Sequence, residues 1–158
     1  MKRSANPTPP IPMKFDLANM RSIRIFALVA LCLVLAGCPS DNVPLEVVGY
    51  NHTDRSIGDF YVNGGWGAFL MKHSGGGTYT CCVVVPPVYK PGMKATITWS
   101  DEAGENPRSR EIAVQPYGPN DFGLFAVHFL RDGQIKVFVT PYNLGHPDYP
   151  LKGDEAKL

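Results

Sequence analysis

Residues Asn120 to Leu130 read NDFGLFAVHFL, and how they fold decides the class of the whole chain. Asn120-Asp121 could cap a helix running through FGLFAVHFL. Two features favour a strand instead. Gly123, Phe125, Val127 and Phe129 occupy alternate positions, with β-favouring residues dominating the run. Just beyond them, Arg131-Asp132-Gly133 is a hairpin signal, because glycine accepts positive φ. A hairpin needs a strand on each side, and Gln134 to Thr140 supplies the second.

Working outward, glycine and proline cut the chain into short pieces with almost no helical periodicity, the pattern of an all-β domain. Lys94 to Ser100 (KATITWS) sets Ala95, Ile97 and Trp99 against Thr96 and Thr98, the period of a half-buried strand. Arg110 to Gln115 alternates Ile112 and Val114 with polar, charged or small neighbours. Leu45 to Tyr50, Asp59 to Val62 before an Asn63-Gly64 turn, and Thr78 to Val85 complete the set. The expected fold is a single small domain of about seven strands in a sandwich or open barrel. It spans 45–142, and the tail over 143–158 is expected to be irregular and exposed.

Ahead of that domain, Met20 onward reads MRSIRIFALVALCLVLAGC: a basic start, an apolar run from Ile25 to Ala36, then small residues. This has the form of a secretory signal peptide, with an apolar run well short of the roughly 20 residues of a membrane span. Leu35-Ala36-Gly37-Cys38 fits the bacterial lipobox, in which the cysteine is acylated and becomes the first mature residue. Residues 1–37 are therefore expected to be an over-long start plus a cleaved lipoprotein signal, and 38–44 a lipidated tether. Several acyl chains hold firmly where one binds marginally. Pro39 follows Cys38 where Asp would mark inner-membrane retention, so the expected location is the periplasm, at the inner leaflet of the outer membrane.

The mature chain would have 121 residues, enough for one domain with a modest core. The leader holds five of the fifteen Lys and Arg and one of the fourteen acids, leaving the mature part at a net charge of −3. No basic footprint for nucleic acid is present.

Candidate chemistry is sparse. With Cys38 acylated and Cys32 removed, Cys81 and Cys82 are the remaining thiols. Neighbours on a strand point to opposite faces, which argues against a shared metal ion. His52, His73, His128 and His146 have no ligand-like spacing, so no metal or other cofactor is expected. The two cysteines are either free thiols, one in the core and one facing outward, or a vicinal disulfide, which an oxidising compartment permits. No nucleophile elbow, zinc-protease motif or phosphate loop occurs. His73-Ser74-Gly75-Gly76-Gly77 leads into a strand rather than a helix, and reads as a flexible turn. Asp101, Glu102 and Glu105 form an acidic loop, either a recognition patch or a solvated turn.

One series is more specific. Gly49-Tyr50-Asn51-His52-Thr53, Ile57, Tyr61-Val62-Asn63-Gly64, Trp66-Gly67, Gly75-Gly76-Gly77, Cys81-Cys82, Pro86, Pro91-Gly92-Met93 and Ile97-Thr98-Trp99 together resemble a family of bacterial lipoproteins, the domain of unknown function 3304. Members are often encoded beside type VI secretion phospholipase effectors, and some look like their immunity proteins. The resemblance implies a non-enzymatic, membrane-held protein that binds and neutralises such an effector. Candidate contacts are the loop around Trp66 and His73, the acidic turn Asp101, Glu102 and Glu105, and Tyr117 with Asp121. Trp66 and Tyr117 read equally as core or turn aromatics. The alternatives are a structural or assembly lipoprotein of the envelope with no toxin partner, and an enzyme using a thiol of Cys81 or Cys82.

Overall fold

The computed structural model describes residues 41–158. The expected signal peptide and the lipidation site Cys38 lie outside the described residues.

Eight strands form two four-stranded sheets packed as a sandwich. The first sheet has the order β4-β1-β7-β8, built from β4 (Ser74–Val85), β1 (Val43–Asn51), β7 (Leu124–Phe129) and β8 (Ile135–Thr140). The second has the order β3-β2-β5-β6, from β3 (Gly65–Leu70), β2 (Ile57–Val62), β5 (Lys94–Asp101) and β6 (Arg108–Ala113). All neighbours run antiparallel except β1 and β7.

The deciding stretch is a strand, and its sequence shows why it resembled a helix. Every residue of β7 is buried. Phe125, Val127 and Phe129 enter the core between the sheets, while Leu124 and Ala126 join a second apolar cluster on the outer side. A strand covered on both faces loses the alternation that a half-exposed one keeps. The turn after it closes through Leu130 N–H to the Gln134 carbonyl at 2.9 Å, with Gly133 at φ 78°.

Three expectations are corrected. Strand β3 falls where a glycine-rich loop was expected. Asn63 and Gly64 both have positive φ, 50° and 86°, and Val62 pairs with Gly65 across them, so a two-residue hairpin forms. Gly67 of β3 serves packing: a Cβ there would lie 2.3 Å from the Phe60 ring, and one on Gly49 of β1 would lie 2.6 Å from Cε1 of the same ring. The Gly75–Gly77 run is the start of β4, not a flexible turn; Ser74 pairs with Asn51 and Gly75 with Tyr50. The tail is irregular apart from a 3-10 turn at Gly153–Ala156, but it is not simply exposed. Tyr149 and Leu151 are buried against Val48, Tyr50, Leu124 and Ala126 on the outer face of the first sheet.

Candidate functional site

Beneath that tail, two histidines far apart in sequence meet. His52 Nδ1 lies 2.8 Å from the Lys157 carbonyl, His52 Nε2 lies 2.9 Å from His128 Nδ1, and His128 Nε2 lies 2.6 Å from Tyr149 Oη. A carbonyl only accepts, so the direction of every bond is fixed. His52 donates from Nδ1 to Lys157, His128 donates from Nδ1 to His52, and the Tyr149 hydroxyl donates to His128. Both rings are neutral in this chain. Burial pushes His128 down to about 3, with the adjacent His52 adding to the shift, and burial lowers His52 as well. Burial likewise raises Tyr149. The Tyr50 ring stacks on His128 at 4.7 Å between centroids. This chain is sealed and fully bonded, so it holds the tail to the sheet rather than offering a reactive atom. Among the described residues no three His, Cys, Asp or Glu side chains are grouped to hold a metal ion.

Among the described residues, the outer face of the second sheet has no such cover. A register shift at Gly67 sets Trp66 and Phe69 on the same outward side of edge strand β3, beside Tyr61 of β2. Trp66 is 50% exposed and Phe69 47%, with Trp66 Nε1 donating to Asp59 at 2.9 Å. Tyr117 differs: it is buried, donates its hydroxyl to the Pro86 carbonyl at 2.8 Å, and packs edge-on against Tyr89 and Phe122. Asp121 accepts the Gly118 N–H at 2.7 Å and shapes its own loop.

At one end the two sheets part around a cleft of about 710 Å³. Its floor is Trp99, Phe129 and Ile135, and its sides carry Arg55, Lys72, Arg108, Arg110 and Arg131. The register explains Arg108 and Arg110: they pair with Trp99 and Ile97, so they continue the inward-facing row that Ile112 begins. Arg110 sits 5.5 Å over the Trp99 ring and donates to the Gly133 carbonyl at 2.9 Å, bridging the sheets. Asp101 and Glu102 lie on the rim. Asp101 is committed to its own turn: it accepts from Asn106 Nδ2 at 2.7 Å and Glu105 N–H at 2.8 Å, and those bonds, Asn106 first, lower its pKa. Glu105 thus enters through its backbone. His73, with φ 52°, lies 2.8 Å from Asp54, another rim residue. The predicted contacts therefore separate: Asp101, Glu102 and, through Asp54, His73 border the cleft; Trp66 lies on the open face; Tyr117 is buried, and half-buried Asp121 shapes its own loop.

Cys81 and Cys82 are both exposed, with their sulfurs bonded to each other. Of the two alternatives the structure has the vicinal disulfide, and no sulfur enters the core because the ladder bulges there. Leu45 pairs with Val83 and Val47 with Thr80, so both cysteines oppose Glu46 alone.

His52, His128, Tyr149 and the cleft cations were absent from the sequence-based candidates. Only the inward phase of Arg108 and Arg110 with Ile112 could have flagged any of them.

No curated protein and no solved structure matches the chain. A family model does, over residues 50–137, from the first residue of the Tyr50 stack to Val137 at the base of the cleft-side hairpin. By that match the chain belongs to the family described as protein of unknown function (DUF3304).

Proposed function

We propose that the chain is a periplasmic immunity protein, tethered through a lipid on Cys38, that binds and neutralises a type VI secreted phospholipase effector. The observation that carries this reading is the uncovered outer face of the second sheet, where Trp66 and Phe69 stand half-exposed on a rigid strand. Aromatic side chains of this kind supply most of the energy of protein interfaces, and a preformed sheet loses little entropy on docking. Inhibition would be by occlusion: the bound domain covers the hydrolase pocket or its approach to lipid. The thiol-enzyme alternative needs a thiolate, whereas the two sulfurs here are bonded to each other.

The test is co-purification of the processed lipoprotein with the phospholipase encoded beside it, paired with competition between a deletion strain and effector-armed siblings. Capture of the effector, and death of the deletion strain, are expected. Full survival together with no capture would leave the assembly-lipoprotein alternative, which predicts an envelope partner whether or not a toxin gene is adjacent.

A further inference from the structure

We infer that the cleft between the sheets is a second docking site, built to take an acidic protein segment carrying an apolar residue at its tip. The inference deepens the inhibitor reading and rests on it for the identity of the partner.

Arg55, Lys72, Arg108, Arg110 and Arg131 line one concavity, and among the described residues none of them forms an ion pair with a carboxylate. Two are oriented without being neutralised: Arg110 by Trp99 and the Gly133 carbonyl, Arg131 by the carbonyls of Asp154 and Lys157. The rim carboxylates Asp54, Asp101 and Glu102 offset part of that charge, and Asp101 feels Arg108, but five cations against three acids leave the cleft positive. Cations gathered over an apolar floor repel one another in the free protein. A ligand with negative flanks and an apolar centre relieves that repulsion and fills the floor at once. The volume lies within the ~300–1,000 Å³ of ordinary binding pockets, enough for one side chain and its neighbouring backbone.

The position of the cleft favours a protein ligand over a lipid headgroup. Thr53 to Ile57, which border it, follow the last residue of β1, whereas the chain enters β1 at Val43, next to the proposed tether. The strand separates the two ends by about 27 Å. A lipid attached ahead of Val43 would thus anchor the domain at the end of β1 opposite this cleft.

The probe is a fluorescein-labelled nine-residue peptide with a central Phe flanked by Asp and Glu, read by anisotropy against the purified lipoprotein in non-ionic detergent. Its Asn/Gln counterpart, inorganic phosphate and dihexanoyl-phosphatidylglycerol serve as competitors. The acidic peptide is expected to bind at least about tenfold more tightly than the neutral one and to weaken severalfold between low and high salt. Arg55→Glu, Lys72→Glu and Arg108→Glu should each weaken it by about threefold to tenfold, and Trp66→Ala should not. Among the described residues these three side chains make no hydrogen bond, so the variants change charge without removing a hydrogen bond seen there. Equal binding of both peptides, displacement by phosphate or by the short-chain lipid at concentrations where the peptide fails, or indifference to all three charge reversals would each overturn the assignment. Peptide binding without effector capture would sink the inhibitor reading and leave the cleft standing. Effector capture that survives all three reversals would do the opposite.

Discussion

The two outer faces of this sandwich meet the same physical problem in opposite ways. On the first sheet, Val48, Tyr50, Leu124 and Ala126 would lie open to water, and the chain covers them with its own tail through Tyr149 and Leu151. On the second, Trp66, Phe69 and Tyr61 face outward and nothing in the described chain covers them. The covered face carries a complete polar chain ending in a backbone carbonyl, which fixes where the tail sits. The open face carries only exposed side-chain bonds: Trp66 to Asp59, Thr98 to Ser109 and Lys94 to Glu111. Apolar surface that a protein needs for its own stability is sealed with satisfied polar groups; apolar surface left open is available to another molecule.

The strongest way to break this contrast is to remove the largest aromatic from each face. Tyr149→Ala deletes a fully buried ring and the donor to His128, and should cost about 3–5 kcal/mol in urea unfolding. Tyr149→Phe keeps the ring but leaves His128 Nε2 buried without a donor, and should cost about 1–3 kcal/mol. Trp66→Ala, despite the larger ring, should change stability by no more than about 1 kcal/mol, since surface truncations act weakly. Comparable losses at Tyr149 and Trp66 would erase the distinction.

The covered face should also be the acid-sensitive one. His128 titrates at about 3 in the folded chain against 6.5 as a free group, and His52 is lowered too, burial leading in both cases. Below pH 6.5 the unfolded chain takes up protons that the native one refuses, so stability is full above that value and falls as pH drops toward 3. Between pH 7.5 and pH 5 His128 alone should remove about 2 kcal/mol, and His52 adds to it. Urea midpoints across this range measure it; a flat profile would mean that the histidine chain is not neutral.

On the open face the expected effect is on binding. Trp66→Ala and Phe69→Ala should each weaken capture of the effector by about 2 kcal/mol, roughly thirtyfold, with unfolding midpoints little changed. Tyr117→Phe, in the interior, should leave capture unaltered. A loss of binding on Tyr117→Phe equal to that on Trp66→Ala would show the contact surface to lie elsewhere.

How much of this could be read beforehand follows the range of the interactions. The β7–β8 hairpin was visible because its signals are local: alternate positions and a glycine turn. Strand β3 was not, since GWGAFL has weak strand propensity and is held by its Asn63-Gly64 turn and by its neighbours. The tail hid its role behind prolines, glycines and charges, with only Tyr149 and Leu151 doing the covering. His52 and His128 lie 76 residues apart and show no spacing that announces contact. The inward phase of Arg108 and Arg110 is written in their alternation with Ile112, but the cleft they line depends on which strands face them. Trp66 and Tyr117 were indistinguishable as aromatics, and burial alone separates them.

The smallest predicted effect concerns the edge of the covered sheet. On β4, Tyr79 points outward and donates its hydroxyl to Asn143 of the tail at 2.9 Å, while Thr80, paired with Val47, turns toward the core just before the cysteine bulge. The Thr80 hydroxyl is shielded from solvent and, among the described residues, has no hydrogen-bond partner. A hydroxyl buried without a partner gives up its water bond for nothing, so removing it at constant shape should help. Valine keeps the branched, strand-favouring outline of threonine. Thr80→Val should therefore raise stability by about 1 kcal/mol in urea, with the slope of the transition unchanged. Destabilisation by the same amount would mean that the hydroxyl finds a partner in solution where the bulge opens the edge, and that the covered sheet is less tightly sealed on this side than its buried face suggests.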